Sequence, residues 1–229
     1  MSAKTISSAM HLMQLCDSAL PVGGFAFSCG LESAVGQGVV SDKHTLEEYA
    51  KTTVRQALFT DGVAALYAFR NAHIAKELQR ADNELYHRKP SREWRTMSCR
   101  MGRKIAELGA KILPCPELEE WNFSISEGHT AGCYAVGQGL IFSLCGASEE
   151  QLFAAVGYGA ASMLMGAALR LMRIEHTTTQ QILFSIAYFT EELYGEAARL
   201  ELHQMHGFAP MTDVFTSLHE RGNARMFMS

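Results

Sequence analysis

Two stretches of this chain, residues 128–148 and 151–169, contain no Asp, Glu, Lys or Arg. Segments that long and uncharged must either cross a membrane or be buried inside a protein, because a spanning helix needs about 20 predominantly apolar residues. Their chemistry decides between the two. They are rich in Gly, Ala and Ser, and the first also holds His129 and Gln138. Small side chains gain little from transfer into lipid, but they let helix backbones approach closely. The runs therefore read as buried helices of a soluble protein, with no membrane partner.

The rest of the chain carries the same period. Trp94, Met97, Met101, Ile105, Leu108 and Ile112 follow one another in steps of three and four, so they share one helical stripe. Arg95, Arg100, Arg103 and Lys111 fall off it, as a solvated face or as a docking surface for an acidic partner. Ile182, Ile186, Phe189, Leu193 and Leu200 form a second stripe, and Gly207 is its expected stop. Thr45 with Glu48, Ser148 with Gln151 and Thr177 with Gln180 fit the capping-box spacing. Alternating strand patterns and Asn-Gly or Asp-Gly hairpin turns are missing; Asp61-Gly62 lies inside a helical pattern.

The expected fold is all-α: a helical bundle of about seven to eight helices in one domain, 1–207, followed by a C-terminal tail, 208–229. The helices are expected near 6–17, 28–37, 44–70, 73–88, 92–112, 130–145, 149–172 and 178–205. The tail holds Met211, Val214, Phe215, Leu218, Met226 and Phe227, with short helical potential at Met211, Phe215 and Leu218 but too little length for an independent helix. Such a segment either folds back on its domain or orders on a partner.

Composition narrows the function. Hydrophobic residues make up 48 % of the 229, enough for a core without metals or disulfides. The net charge of −4 argues against nucleic acid, whose binders carry basic stripes. No charged start followed by an apolar run marks a secretory signal, so the expected location is cytoplasmic, with the six cysteines as free thiols.

Catalytic signatures are sparse. Ala26-Phe27-Ser28-Cys29-Gly30 approximates the G-x-S-x-G nucleophile elbow, but its first glycine and the surrounding strand-helix alternation are missing. Ser28 reads better as a helix N-cap, with a serine hydrolase as the alternative. His203 and His206, three apart, would share a helix face and could begin a nickel or zinc site; two surface histidines near a helix end are the plainer reading. There is no P-loop, no dinucleotide fingerprint and no HExxH, so neither a cofactor nor a metal ligand set is assigned.

The segment from Leu12 to Glu32, with Leu20-Pro21-Val22-Gly23-Gly24-Phe25-Ala26-Phe27-Ser28-Cys29-Gly30-Leu31-Glu32 at its end, closely resembles the signature of the UreF family of urease accessory proteins. The resemblance continues at Gln37-Gly38-Val39-Val40, Glu93-Trp94-Arg95, Met101-Gly102-Arg103, Arg170-Leu171 and Gln180-Gln181-Ile182-Leu183. It ends at His219-Glu220 and Arg225-Met226-Phe227-Met228-Ser229. It departs from the family at Ala26, usually polar, and over Arg173–Gln180, where a proline and a glycine are missing.

The resemblance implies a non-enzymatic, often dimeric, all-α adaptor. Its expected partners are the accessory protein UreD (also called UreH), apo-urease and the nickel-binding GTPase UreG, and its role is nickel insertion. The positions assigned to partner binding are Phe25, Glu32, Arg170, Phe215, His219, Arg225 and Phe227. Phe25 lies in a glycine-flanked turn, as an interface anchor or as a local core plug. For the tail, the resemblance favours ordering on UreD.

Overall fold

The computed structural model describes residues 4–221 and 226–227. Among them there are only helices and connections. These are α1 (Lys4–Cys16), α2 (Leu31–Gly36), α3 (Lys43–Ala57), α4 (Val63–Arg70), α5 (Ala75–Arg88), α6 (Arg92–Ile112), α7 (Pro116–Ser126), α8 (Tyr134–Leu144), α9 (Glu149–Leu171), α10 (His176–Ala197) and α11 (Pro210–Arg221).

Helix α8 is the centre. All its residues from Ala135 to Phe142 are buried, as expected of a helix that is apolar all round. It lies against α4, α6 and α9. Gly139 makes the α4 contact possible, since a Cβ there would collide with the carbonyl of Ala65. Its N-terminus is held by a carboxylate from another helix. Asp82 of α5, fully buried, accepts from the N–H groups of Gly132 (2.9 Å) and Cys133 (2.5 Å) and from Thr130 Oγ1 (2.5 Å). A negative charge at a helix N-terminus satisfies orphan donors and complements the helix dipole.

Helix α9 opens on the expected capping box, with Ser148 accepting from Gln151 N–H and Gln151 returning the bond. By length and composition it could cross a membrane, but 56 % of its apolar window is buried inside the protein, between α10, α3 and α4. Helix α6 starts on Ser91, whose hydroxyl accepts from Trp94 N–H; of its expected stripe Met97, Met101 and Ile105 are buried, Trp94 and Leu108 half-buried and Ile112 exposed.

Helices α3 and α4 form one rod joined by a π-helical stretch, Leu58–Gly62. The His206 N–H donates to the carbonyl of Phe59 there (3.2 Å). Asp61 accepts from the nearly buried Lys89 ammonium with both oxygens at 2.8 Å.

Several local expectations give way to tertiary structure. The helix expected over 178–205 ends at Ala197, where Arg70 donates to the carbonyl of Ala198 (3.0 Å) and a Glu201–Gln204 capping box starts a new turn. Thr45 is the third helical residue rather than the cap; Asp42 caps α3. Thr177 caps nothing, since α10 starts after Glu175 with no side-chain cap. Ser28 is not an N-cap either: Gly30, in the left-handed conformation with φ of 78°, precedes α2. Helix α7, not foreseen, begins with Pro116 in its first turn and buries Leu118, Trp121 and Ile125. Within the expected tail, Pro210–Arg221 forms a helix, α11, packed on α2 and α6, where only short helical potential was expected.

Candidate functional site

The loop before α2 turns on Gly23, at φ of 85°, and lifts Phe25 out of the fold; its side chain is 72 % exposed, while Phe27 and Leu31 on either side are buried. Phe25 is thus not a core plug. Arg170, in the last turn of α9, reaches this loop. It donates to the Phe25 carbonyl (2.7 Å) and braces itself on the Gly166 carbonyl (3.1 Å). Its guanidinium lies between two rings, 3.8 Å from the centroid of Phe25 and 4.0 Å from that of Phe227. Cation–π contacts of this kind each contribute about 0.5–2 kcal/mol.

Phe227 is buried, and its backbone is tied down by Glu32 of α2. The Glu32 carboxylate accepts from Met226 N–H (2.7 Å) and Phe227 N–H (3.2 Å). The oxygen that receives Phe227 also faces His219 Nε2 at 2.8 Å. On the other side of the imidazole, Nδ1 lies 2.8 Å from a carboxylate oxygen of Glu93. The His219 and Glu93 side chains are each only 2 % exposed, and Glu32 19 %. Glu220 completes the cluster by accepting from the Glu93 N–H (2.6 Å).

The electrostatics follow. The bond to Glu93, reinforced by Glu32, raises the His219 pKa above its ordinary value against the opposing effect of burial. Burial opposes ionisation of Glu32, but the donors of Met226, His219 and Phe227 outweigh it and hold the carboxyl below its usual range.

Helix α11 presents a buried, mostly polar face and an exposed apolar one. Thr212, Phe215, Thr216 and His219 point inward and are buried. Gly30 makes room for them: a Cβ there would lie 2.9 Å from Thr216 Oγ1 and from the Tyr49 hydroxyl. Phe215 packs near Tyr49 at a centroid distance of 6.4 Å, and Tyr49 donates to the Cys29 carbonyl (2.8 Å). Outward stand Met211 (57 % exposed), Val214 (49 %) and Leu218 (47 %), with Phe208 (89 %) just before the helix. These continue one row at helical spacing.

Six of the seven residues assigned to partner binding, Phe25, Glu32, Arg170, Phe215, His219 and Phe227, thus belong to one neighbourhood, in which Phe25 meets Arg170 with its ring yet stays 72 % exposed. Arg225 lies outside the described residues. Sequence reasoning missed Glu93, Tyr49 and Gly30. The available signal for Glu93 was its spacing of four from Met97, which sets a carboxylate on the edge of a buried stripe.

The other candidates separate from this site. Ser28 is fully buried and its hydroxyl has no hydrogen-bond partner, so it is no exposed nucleophile. Burial pushes its neighbour Cys29 up to about 12. His203 lies in a 3₁₀ turn, and His206, beyond it, stacks on Phe59 at 4.8 Å. The shared helix face expected for the two histidines is absent because α10 has already ended. Among the described residues no three His, Cys, Asp or Glu side chains converge as a metal site. Of the off-stripe cations of α6, Arg95 donates to the carbonyls of Lys89 (2.5 Å) and Pro90 (3.3 Å) and lies over Tyr86.

Residues 40–187 match the family model for UreF. Over its full length the chain is 40 % identical to urease accessory protein UreF 2 of Brucella canis, covering 95 % of that protein. It is 40 % identical, with the same coverage, to urease accessory protein UreF 1 of Brucella melitensis. With urease accessory protein UreF of Yersinia pestis it shares 36 % identity over 96 % of this chain and 98 % of that one. The family model spans α3 to α10 apart from its last turns; of the clustered site residues only Tyr49, Glu93 and Arg170 fall inside it.

Proposed function

Because the chain belongs to the UreF family of urease accessory proteins, and so is an accessory protein rather than an enzyme, we propose that it is an adaptor for nickel insertion that bridges the UreD (UreH)–urease complex and the GTPase UreG. The GTP and the nickel chemistry belong to its partners, and the adaptor acts in the cytoplasm, as a homodimer, without a cofactor of its own. The observation that carries this reading is the outward row on α11, Met211, Val214 and Leu218, preceded by Phe208 and followed by Met226 at 63 % exposure. The inner face of the same helix is locked to α2 and α6, so the outer face is offered at little ordering cost. Met and Phe are enriched at protein interfaces. Phe25, stacked on Arg170, adds a rigid aromatic anchor beside the chain's last described residues.

The test is co-purification of tagged full-length chain with UreD and UreG from cells expressing a urease gene cluster. Met211→Asp with Leu218→Asp should leave the helical spectrum unchanged and abolish UreD capture and urease activation. Full-strength capture by the folded double variant would remove the α11 face from the interface. Failure of the wild-type chain to capture either protein would remove the adaptor role itself.

A further inference from the structure

The Glu93–His219–Glu32 cluster holds three titratable groups in a buried line, and neither the family membership nor the adaptor role requires it. Each ring nitrogen of His219 faces a carboxylate oxygen at 2.8 Å. Only the imidazolium can donate from both nitrogens; a neutral ring has one N–H and one lone pair. Loss of the proton therefore leaves one carboxylate facing a lone pair. The two carboxylates are not equivalent. Glu93 is almost fully enclosed and its other oxygen has no hydrogen-bond partner, so abandoning it is the costlier choice. Glu32 is partly open to water and has two backbone donors. The neutral ring should keep its proton toward Glu93 and turn its lone pair toward Glu32, the carboxylate that holds Met226 and Phe227.

We propose that His219 is a proton-operated pin: its imidazolium fixes Glu32, Glu32 fixes the chain at Met226–Phe227, and deprotonation loosens that segment from Arg170 and Phe25. The state of the pin then decides whether the aromatic surface around Arg170 is closed by Phe227 or open to a partner. The mechanism is internal to the chain and holds whether or not α11 is the docking face.

The surrounding groups permit His219 to be the titrating member. Glu32 comes from α2, Glu93 from α6 and Glu220 from α11 itself. From the preceding loop comes Cys29 and from α3 comes Tyr49; burial pushes both upward, so both stay neutral near pH 7. From α9 comes Arg170, which burial lowers but which stays cationic.

The experiment uses full-length protein in two measurements across pH 6–9: the ring signals of His219 by NMR, and hydrogen exchange of the Met226 and Phe227 amides, corrected for intrinsic rate. The ring should titrate with a midpoint above about 6.5, the ordinary histidine value. Protection of the two amides should fall about tenfold or more around that midpoint, the scale set by one charge-assisted hydrogen bond. In His219→Gln the protection should be low and independent of pH. If that variant does not fold, Glu32→Gln serves: the His219 midpoint should drop and the amides should no longer follow it. Protection that stays flat through the wild-type ring titration, a ring midpoint below 6.5, or wild-type coupling in Glu32→Gln would each overturn the proposal.

Discussion

The two faces of α11 make opposite demands on mutation. Phe215 is 3 % exposed and fills the space between α11, Tyr49 and α2. Truncation of a buried Phe to Ala typically costs about 3–5 kcal/mol, the lost transfer energy plus the cavity left behind. At about 2–4 °C per kcal/mol for a chain of this size, Phe215→Ala should lower Tm by about 6–20 °C. Leu218, three residues on, is 47 % exposed. Leu218→Ala should change stability by no more than about 0.5 kcal/mol, or about 2 °C. In UreD binding the order should reverse: Leu218→Ala should cost about 1–2 kcal/mol, some five- to thirtyfold, as a residue in an interface row does.

The assay is thermal unfolding by circular dichroism with binding measured on the same samples below both transitions. Hydrogen exchange on α11 checks that a small shift in Tm does not conceal local release of the helix. The reasoning is refuted if Phe215→Ala neither lowers Tm nor unprotects α11. It is equally refuted if Leu218→Ala destabilises as much as Phe215→Ala does, since the helix would then have no free face.

Three further outcomes are expected. Asp82→Ala strands the buried donors of Gly132, Cys133 and Thr130 and should cost about 3 kcal/mol or more in urea unfolding, whereas Glu93→Gln, which keeps a hydrogen-bond acceptor for His219, should cost less. Because the native pKa of His219 is raised, its stabilising contribution is complete below about pH 6.5 and is lost as pH rises through the native value; wild type should therefore lose stability relative to His219→Gln between those limits. Alkylation at pH 8 should modify Cys99, whose thiol the bond with Cys133 lowers, before Cys29, which burial holds at about 12; mass mapping of labelled peptides decides it.

Where a helix is specified by its own residues, its limits were legible in the sequence. Helix α6 runs from Arg92 to Ile112 and α9 from Glu149 to Leu171, within a residue of expectation, because Ser91 and Ser148 cap them locally and their buried faces are periodic or uninterrupted. Where an end depends on a distant group, it was not. The stop of α10 is fixed partly by Arg70, 128 residues away, and no local pattern at Ala197 announces it. Helix α7 is obscured by its own start: prolines at 114 and 116 look like helix breakers, although proline suits a first turn, where its missing N–H is not needed.

The site was legible as a set of residues and not as a set of contacts. Phe25, Glu32, Arg170, Phe215, His219 and Phe227 came from the family resemblance, which names positions without saying what they touch. Their observed contacts divide them. Phe215 and His219 are buried in the fold, and Glu32 and Arg170 hold Met226 and Phe227. Of the six, Phe25 alone presents most of its side chain to solvent. The exposed apolar row of Phe208, Met211, Val214 and Leu218 could be seen only once Phe215 and His219 had fixed the rotation of α11. A helix with apolar residues at 211, 214, 215 and 218 does not say which way it faces. That choice is made by a buried imidazole between two carboxylates, which rotates the aliphatic row outward. The outward orientation of the apolar row is therefore set by polar burial on the opposite face of the helix.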